Sequence, residues 1–118
     1  MNTKTTVMVK LSLEGIHNFP AAAELFPPVS FLAHPHRHMF HITASKLVKH
    51  DDRDKEFILF KREISDWLTI QYHDEVLGLL NFNSMSCESI ARKILEIFDC
   101  NYVDVFEDDE NGARVERI

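Results

Sequence analysis

The sequence predicts an α+β domain: an antiparallel four-stranded sheet with two helices packed on one face. Three observations carry this. Between Thr5 and Leu13 aliphatic residues recur at every second position, Val7, Val9, Leu11 and Leu13. Near Glu63 the apolar period lengthens from two residues to between three and four, and a second such stretch follows. Tyr102 to Glu107 then returns to alternation. Strands first, then two helices, then a last strand is an order that puts helices on one side of a sheet rather than interleaving them with parallel strands.

In chain order, Val7, Val9, Leu11 and Leu13 form the inward face of the first strand, with Thr6, Lys10, Ser12 and Glu14 outward. Continued through Gly15, that register puts His17 in phase with four aliphatic residues; Gly15 also permits a bulge that would re-aim it. Asn18 to Ser30 holds three of the four prolines and reads as a loop with one helical turn, ended before Pro27-Pro28. A second strand runs from His36 to Val48, a polar turn spans His50 to Asp54, and Glu56 to Arg62, with Phe57-Ile58-Leu59-Phe60, reads as a strand returning against it. Ile64, Trp67 and Leu68 mark the first helix. His73 to Asn83 reads as an irregular connection. Ser84 or Ser86 caps the second helix, whose expected buried stripe is Ile90, Ala91, Ile94, Ile97 and Phe98. Val103, Val105 and Glu107 share one face of the last main strand, and Asn111-Gly112 is a hairpin-turn signal that would fold Arg114 to Ile118 back as a short edge.

At 118 residues the chain has the size of a single domain, residues 1–118, able to bury a core without disulfides. A formal net charge of −6 argues against nucleic acid or an anionic membrane as partner. The first residues lack the apolar core of a signal peptide, and no apolar run approaches membrane-spanning length. Cys87 and Cys100 show no CxxC spacing, so neither a disulfide framework nor a cysteine metal site is indicated, and a reducing, cytoplasmic setting is expected.

The chemistry concentrates at His34-Pro-His-Arg-His-Met-Phe-His41, where four of the seven histidines fall within eight positions. On a strand, His34, His36 and His38 share a face, His41 takes the other, and the first face continues as Phe40, Ile42 and Ala44. Two histidines two apart on a strand make half of a zinc or copper site. His17 is the candidate third ligand; the plainer reading of it is a core histidine bonded to a backbone carbonyl. Glu107, a carboxylate continuing a valine face, reads either as a strand end emerging into the acidic turn Asp108-Asp109-Glu110 or as part of a site.

Taken together, these pieces resemble the 6-pyruvoyl-tetrahydropterin synthase and 6-carboxytetrahydropterin synthase family, the tunnelling-fold pterin enzymes. The resemblance runs through a strand ending in one histidine (Leu11 to His17), a His-x-His strand (His36-Arg-His38), a strand whose Phe60 precedes the first helix, a helix start at Met85-Ser-Cys-Glu88, and a closing Val105-Phe-Glu107. It implies that His17, His36 and His38 ligate Zn²⁺ with one position left open, that Glu107 grips the ring N–H and amino group of a pterin, and that the chain assembles as a homo-oligomer, trimers stacked into hexamers with the sheets closed into a barrel and sites between subunits. The activity implied is a lyase acting on 7,8-dihydroneopterin triphosphate or a close pterin, as on the route to 7-deazaguanines such as queuosine or to biopterin.

The sequence also departs from the family. Leu32 stands where the acid–base cysteine is usual, four residues before His36; His73 matches the histidine of an Asp-His pair, but Tyr72 replaces the aspartate; Arg37 replaces the glycine between the zinc histidines. His73 is the expected proton shuttle, with His34 or Glu24 as substitutes for the missing base. The alternative is a diverged, non-catalytic oligomer that binds a metal and a pterin or purine. A third reading is a structural oligomeric module whose histidines bind only adventitious metal.

Overall fold

The computed structural model describes all 118 residues, Met1–Ile118. Its elements are β1 (Thr5–His17), α1 (Ala22–Leu25), a 3₁₀ helix (Pro27–Ala33), β2 (His36–Val48), α2 (Phe57–Tyr72), β3 (His73–Asp74), β4 (Leu79–Asn81), α3 (Cys87–Phe98), β5 (Tyr102–Glu107) and β6 (Asn111–Glu116). The strands form one sheet in the order β3-β4-β1-β2-β5-β6. β1 and β4 run parallel and every other neighbouring pair runs antiparallel. The α+β class stands, but the expected antiparallel four-stranded sheet is corrected to a six-stranded mixed sheet with four helices, and the sheet of this single chain is open, ending at β3 and β6.

The long β1–β2 ladder is the spine. Its register runs unbroken from Thr5↔Val48 to His17↔His36, so no bulge occurs at Gly15 and the alternation of β1 carries through to His17. Val9 and Leu11 of β1, Phe40, Ile42 and Ala44 of β2, and Val103 and Val105 of β5 are all buried. Against this face α2 contributes Phe60, Ile64 and Leu68, four apart, and α3 contributes Ile90, Ala91, Ile94 and Leu95. Each of the Val, Leu, Ile and Phe side chains among them, fully buried, stabilises by about 1.5–3 kcal/mol, which outweighs the weak intrinsic preferences of short segments.

That competition explains the local departures. Glu56 to Arg62 is not a strand: its run Phe57-Ile58-Leu59-Phe60 opens α2, with Glu56 as N-cap accepting from the Leu59 N–H at 3.0 Å. Only Phe60 of the four is buried, while Phe57, Ile58 and Leu59 each stay more than half exposed, so a continuous apolar run did not mean a strand buried on both faces. The stretch expected to be an irregular connection contains the short β3–β4 hairpin, and β4 adds in parallel to β1 through Gly15↔Leu80. The hairpin turn lies at Asp108-Asp109-Glu110, not Asn111-Gly112; Asp108 and Asp109 take left-handed φ of 53° and 57°, a region in which Asp is tolerated, and Asn111-Gly112 begin β6. On α3 Ser86, not Ser84, is the cap, and Leu95 rather than the half-exposed Ile97 faces the core.

Gly15 bears directly on the open end of the spine. A Cβ there would lie 2.9 Å from the Phe82 ring and 3.1 Å from Phe40, so glycine lets two aromatic rings close over the strand. Gly15→Ala is expected to destabilise the protein by about 1–3 kcal/mol through overpacking, measured by urea denaturation; an unchanged midpoint would show that the rings shift freely.

Candidate metal centre

At the end of the spine, where β1 finishes and β2 begins, the inner face changes from hydrocarbon to imidazole. His17 pairs with His36 across the ladder, and His38 follows two residues later on the same face. Their ring centroids lie 4.6 Å (His17–His36), 5.0 Å (His36–His38) and 5.6 Å (His17–His38) apart, and one nitrogen from each falls within 4.8 Å of the others. Phe40, fully buried, supports them from below, with its ring 5.1 Å from His17 and 5.9 Å from His38.

Each ring is held by its Nδ1. His17 Nδ1 donates to the Met85 carbonyl at 2.8 Å, His36 Nδ1 to the His34 carbonyl at 2.9 Å, and His38 Nδ1 to Asp108 Oδ2 at 2.6 Å. Carbonyls and carboxylates can only accept, so in each neutral imidazole the hydrogen sits on Nδ1 and Nε2 presents a bare lone pair. Outer partners of this kind fix the tautomer and orientation of metal-ligating histidines. Nε2 of His17 and Nε2 of His38 are buried without a hydrogen-bond partner, a costly arrangement in a purely structural cluster and the expected one for nitrogens that receive a cation. His17, His36 and His38 therefore fit a metal ion and could hold one.

Glu107 stands against them. It lies opposite Phe40 in the β2–β5 ladder, and its Oε1 is 3.0 Å from His17 Nε2 and its Oε2 3.2 Å from His38 Nε2. The next residue, Asp108, serves His38 from the side; it also accepts from the Met39 N–H at 2.9 Å. That backbone bond first, and His38 second, hold the Asp108 carboxyl below the usual carboxylate range. Burial lowers the His17 pKa, against the opposing pull of the Met85 carbonyl and the Glu107 charge, and His36 and His38 add to the lowering. A neutral imidazole is the form that binds metal.

Beside these groups opens a cavity of about 530 Å³, bordered among others by His17, His36, Glu107, Cys87, Leu32 and Phe19. That volume lies in the usual range for small-molecule sites. Leu32 gives it an apolar wall at the position where the resemblance would place a cysteine. Cys87 donates to Glu107 Oε1 at 3.5 Å. Burial, then the Glu107 charge, push its thiol up to about 12, so it remains protonated at neutral pH. Cys100 is fully buried, with its thiol raised by burial to about 11.

The remaining sequence candidates do not join the cluster. His73 is exposed at the start of β3. It lies in the row His73–Leu80–Gly15–His38, three strand steps from His38. At about 4.8 Å per step that is roughly 14 Å. Glu24 and the ring of His34 are exposed, although the His34 carbonyl anchors His36. Tyr72 packs against Trp67 and Phe82, and burial raises its hydroxyl pKa. His41 faces the opposite side of the sheet, as its phase requires, 2.8 Å from Ser12 Oγ. Sequence reasoning did not assign roles to Met85 or Asp108. A main-chain carbonyl leaves no residue signature, and Asp108 reads in the sequence only as part of an acidic turn.

No protein-family model and no curated protein matches the chain. Among solved structures it is similar to an uncharacterized protein from Wolinella succinogenes, at 15% sequence identity and a TM-score of 0.67, with 99% of this chain and 100% of that chain covered. At that identity the likeness is one of fold. No helix is long and apolar enough to cross a membrane.

The burial of both thiols predicts slow chemistry. With Ellman's reagent at pH 8, native protein should react far more slowly than protein unfolded in guanidinium, where both cysteines regain an ordinary pKa of about 8.5. A fast native phase would show that Cys87 is an available thiolate.

Proposed function

We propose that the chain is a zinc-dependent pterin lyase, acting on the side chain of 7,8-dihydroneopterin triphosphate or a related pterin by elimination or cleavage. The observation that supports this best is the set of three Nδ1-anchored imidazoles, two of them with bare Nε2 atoms beside the Glu107 carboxylate, next to a ligand-sized cavity. His17, His36 and His38 hold the ion, which when bound supplies a Lewis acid able to acidify a substrate hydroxyl. Glu107 accepts the paired N–H donors of the pterin ring, a match of two oxygens to two hydrogens that a carboxylate makes well. Leu32 and Phe19 give the cavity apolar wall against which a flat ring can lie. His73 shuttles protons in this reading only across a subunit boundary, because within one chain it stands too far from His38. A homo-oligomer of trimer or hexamer order belongs to the same reading; Leu25, Phe26 and Phe31, each more than half exposed, supply apolar surface near the cavity for it.

A second reading is favoured by one observation. Leu32 is apolar and Cys87 is held protonated, so no cysteine thiolate serves the cavity. Loss of a general acid–base group commonly costs about 10²–10⁴-fold in rate. The alternative is accordingly a non-catalytic protein that holds a metal and binds a pterin or purine.

Metal analysis of protein purified without a histidine tag should find zinc near one equivalent in the wild type and little in His36→Ala. A wild type free of metal would remove both readings. Zinc-loaded protein incubated with 7,8-dihydroneopterin triphosphate should convert it to a product lacking the intact side chain, resolved by chromatography. Binding without conversion selects the non-catalytic reading.

A further inference from the structure

We infer that Glu107 is itself a metal ligand, so that the substrate-free centre is a three-histidine, one-carboxylate set rather than three histidines with an open position. This rests on reading the three histidines as a metal site and goes beyond it.

The argument begins with where the hydrogens are. Met85 O and Asp108 Oδ2 take the Nδ1 hydrogens of His17 and His38, which leaves lone pairs on both Nε2 atoms. Facing those lone pairs at 3.0 and 3.2 Å are two carboxylate oxygens, which also carry only lone pairs. Neither contact can be a hydrogen bond between these species, and both Nε2 atoms lack any other partner. Two repulsive contacts side by side, one on a histidine only 7% exposed, call for something positive between them. Protonating both rings would require two adjacent imidazolium ions in the cluster, where His17 and His38 already lie 5.6 Å apart.

A shared cation removes the conflict. Two donors bound tetrahedrally to one zinc at about 2.1 Å lie roughly 3.4 Å from each other, close to both contacts seen here. Glu107 makes these contacts with His17 and His38 and no ion pair with His36, so it straddles one edge of the triangle and leaves the His36 side facing the cavity. Cys87 S–H touches only Oε1, an outer bond that steadies the carboxylate without occupying it. The register explains the placement: Glu107 is the residue opposite Phe40, on the same face as His38.

The test measures zinc affinity by competition with a chromophoric chelator, and the visible absorption of the cobalt(II)-loaded protein, for wild type, Glu107→Gln and Glu107→Asp, all without pterin. Ligation predicts that Glu107→Gln weakens zinc binding at least about tenfold and shifts the cobalt bands. Glu107→Asp keeps the charge but withdraws the oxygens by one methylene, so ligation predicts weakened binding there too, whereas a field effect alone predicts wild-type affinity. Equal affinity and unchanged cobalt bands in both variants would overturn ligation by Glu107 and leave the three-histidine site standing. A wild type that takes up neither metal would overturn both.

Discussion

Three imidazole Nδ1–H groups, each satisfied by an acceptor from a different part of the chain, decide what the open end of the sheet can do. The Met85 carbonyl lies just before α3, the His34 carbonyl just before β2, and the Asp108 carboxylate just after β5. Remove these acceptors and the rings are free to rotate and to exchange tautomers; with them, the Nε2 atoms point inward. The spine positions the backbones, but the outer bonds set the chemistry. This division matches what is general for metal-ligating histidines, whose second nitrogen is nearly always occupied.

Much of this site was written in period-two arithmetic. His36, His38, Phe40 and Ile42 form one face because β2 is a regular strand, and His17 joins them because β1 continues through Gly15 without a bulge. Glu107 is legible the same way, as the next inward residue after Val103 and Val105. What the sequence concealed falls into two kinds. Phe57-Ile58-Leu59-Phe60 has the look of a buried strand, and only the Glu56 cap and the four-residue spacing of Phe60, Ile64 and Leu68 make it a helix. The β3–β4 hairpin is too short, at two and three residues, to leave a periodic trace, and it changed the sheet from antiparallel to mixed. Asn111-Gly112 carries the usual hairpin signal, yet Asp108 and Asp109, three residues earlier, take the left-handed positions.

The proton-transfer groups divide differently from the three histidines that could hold a metal. Ligands can be judged within one chain, since three rings either converge or do not. Acid–base groups depend on reach, and here the cavity wall offers a leucine, a protonated thiol, the Glu107 carboxylate beside the histidines and the exposed carboxylate of Glu88.

The clamp on His17 has a mechanical side as well. The donors at positions 17, 36 and 38 come from two strands separated by the Pro-rich loop, and His17 is tied in turn to Met85, 68 residues away in sequence. An ion gripped there acts as a cross-link, pinning the mouth of that loop and the approach to α3 at once. Because the site exists only in the folded chain, the free energy of binding adds directly to the free energy of folding. Occupancy would then be felt as rigidity: the loaded chain should be harder to unzip from the sheet end that carries the histidines than from the end where β1 and β2 simply stop.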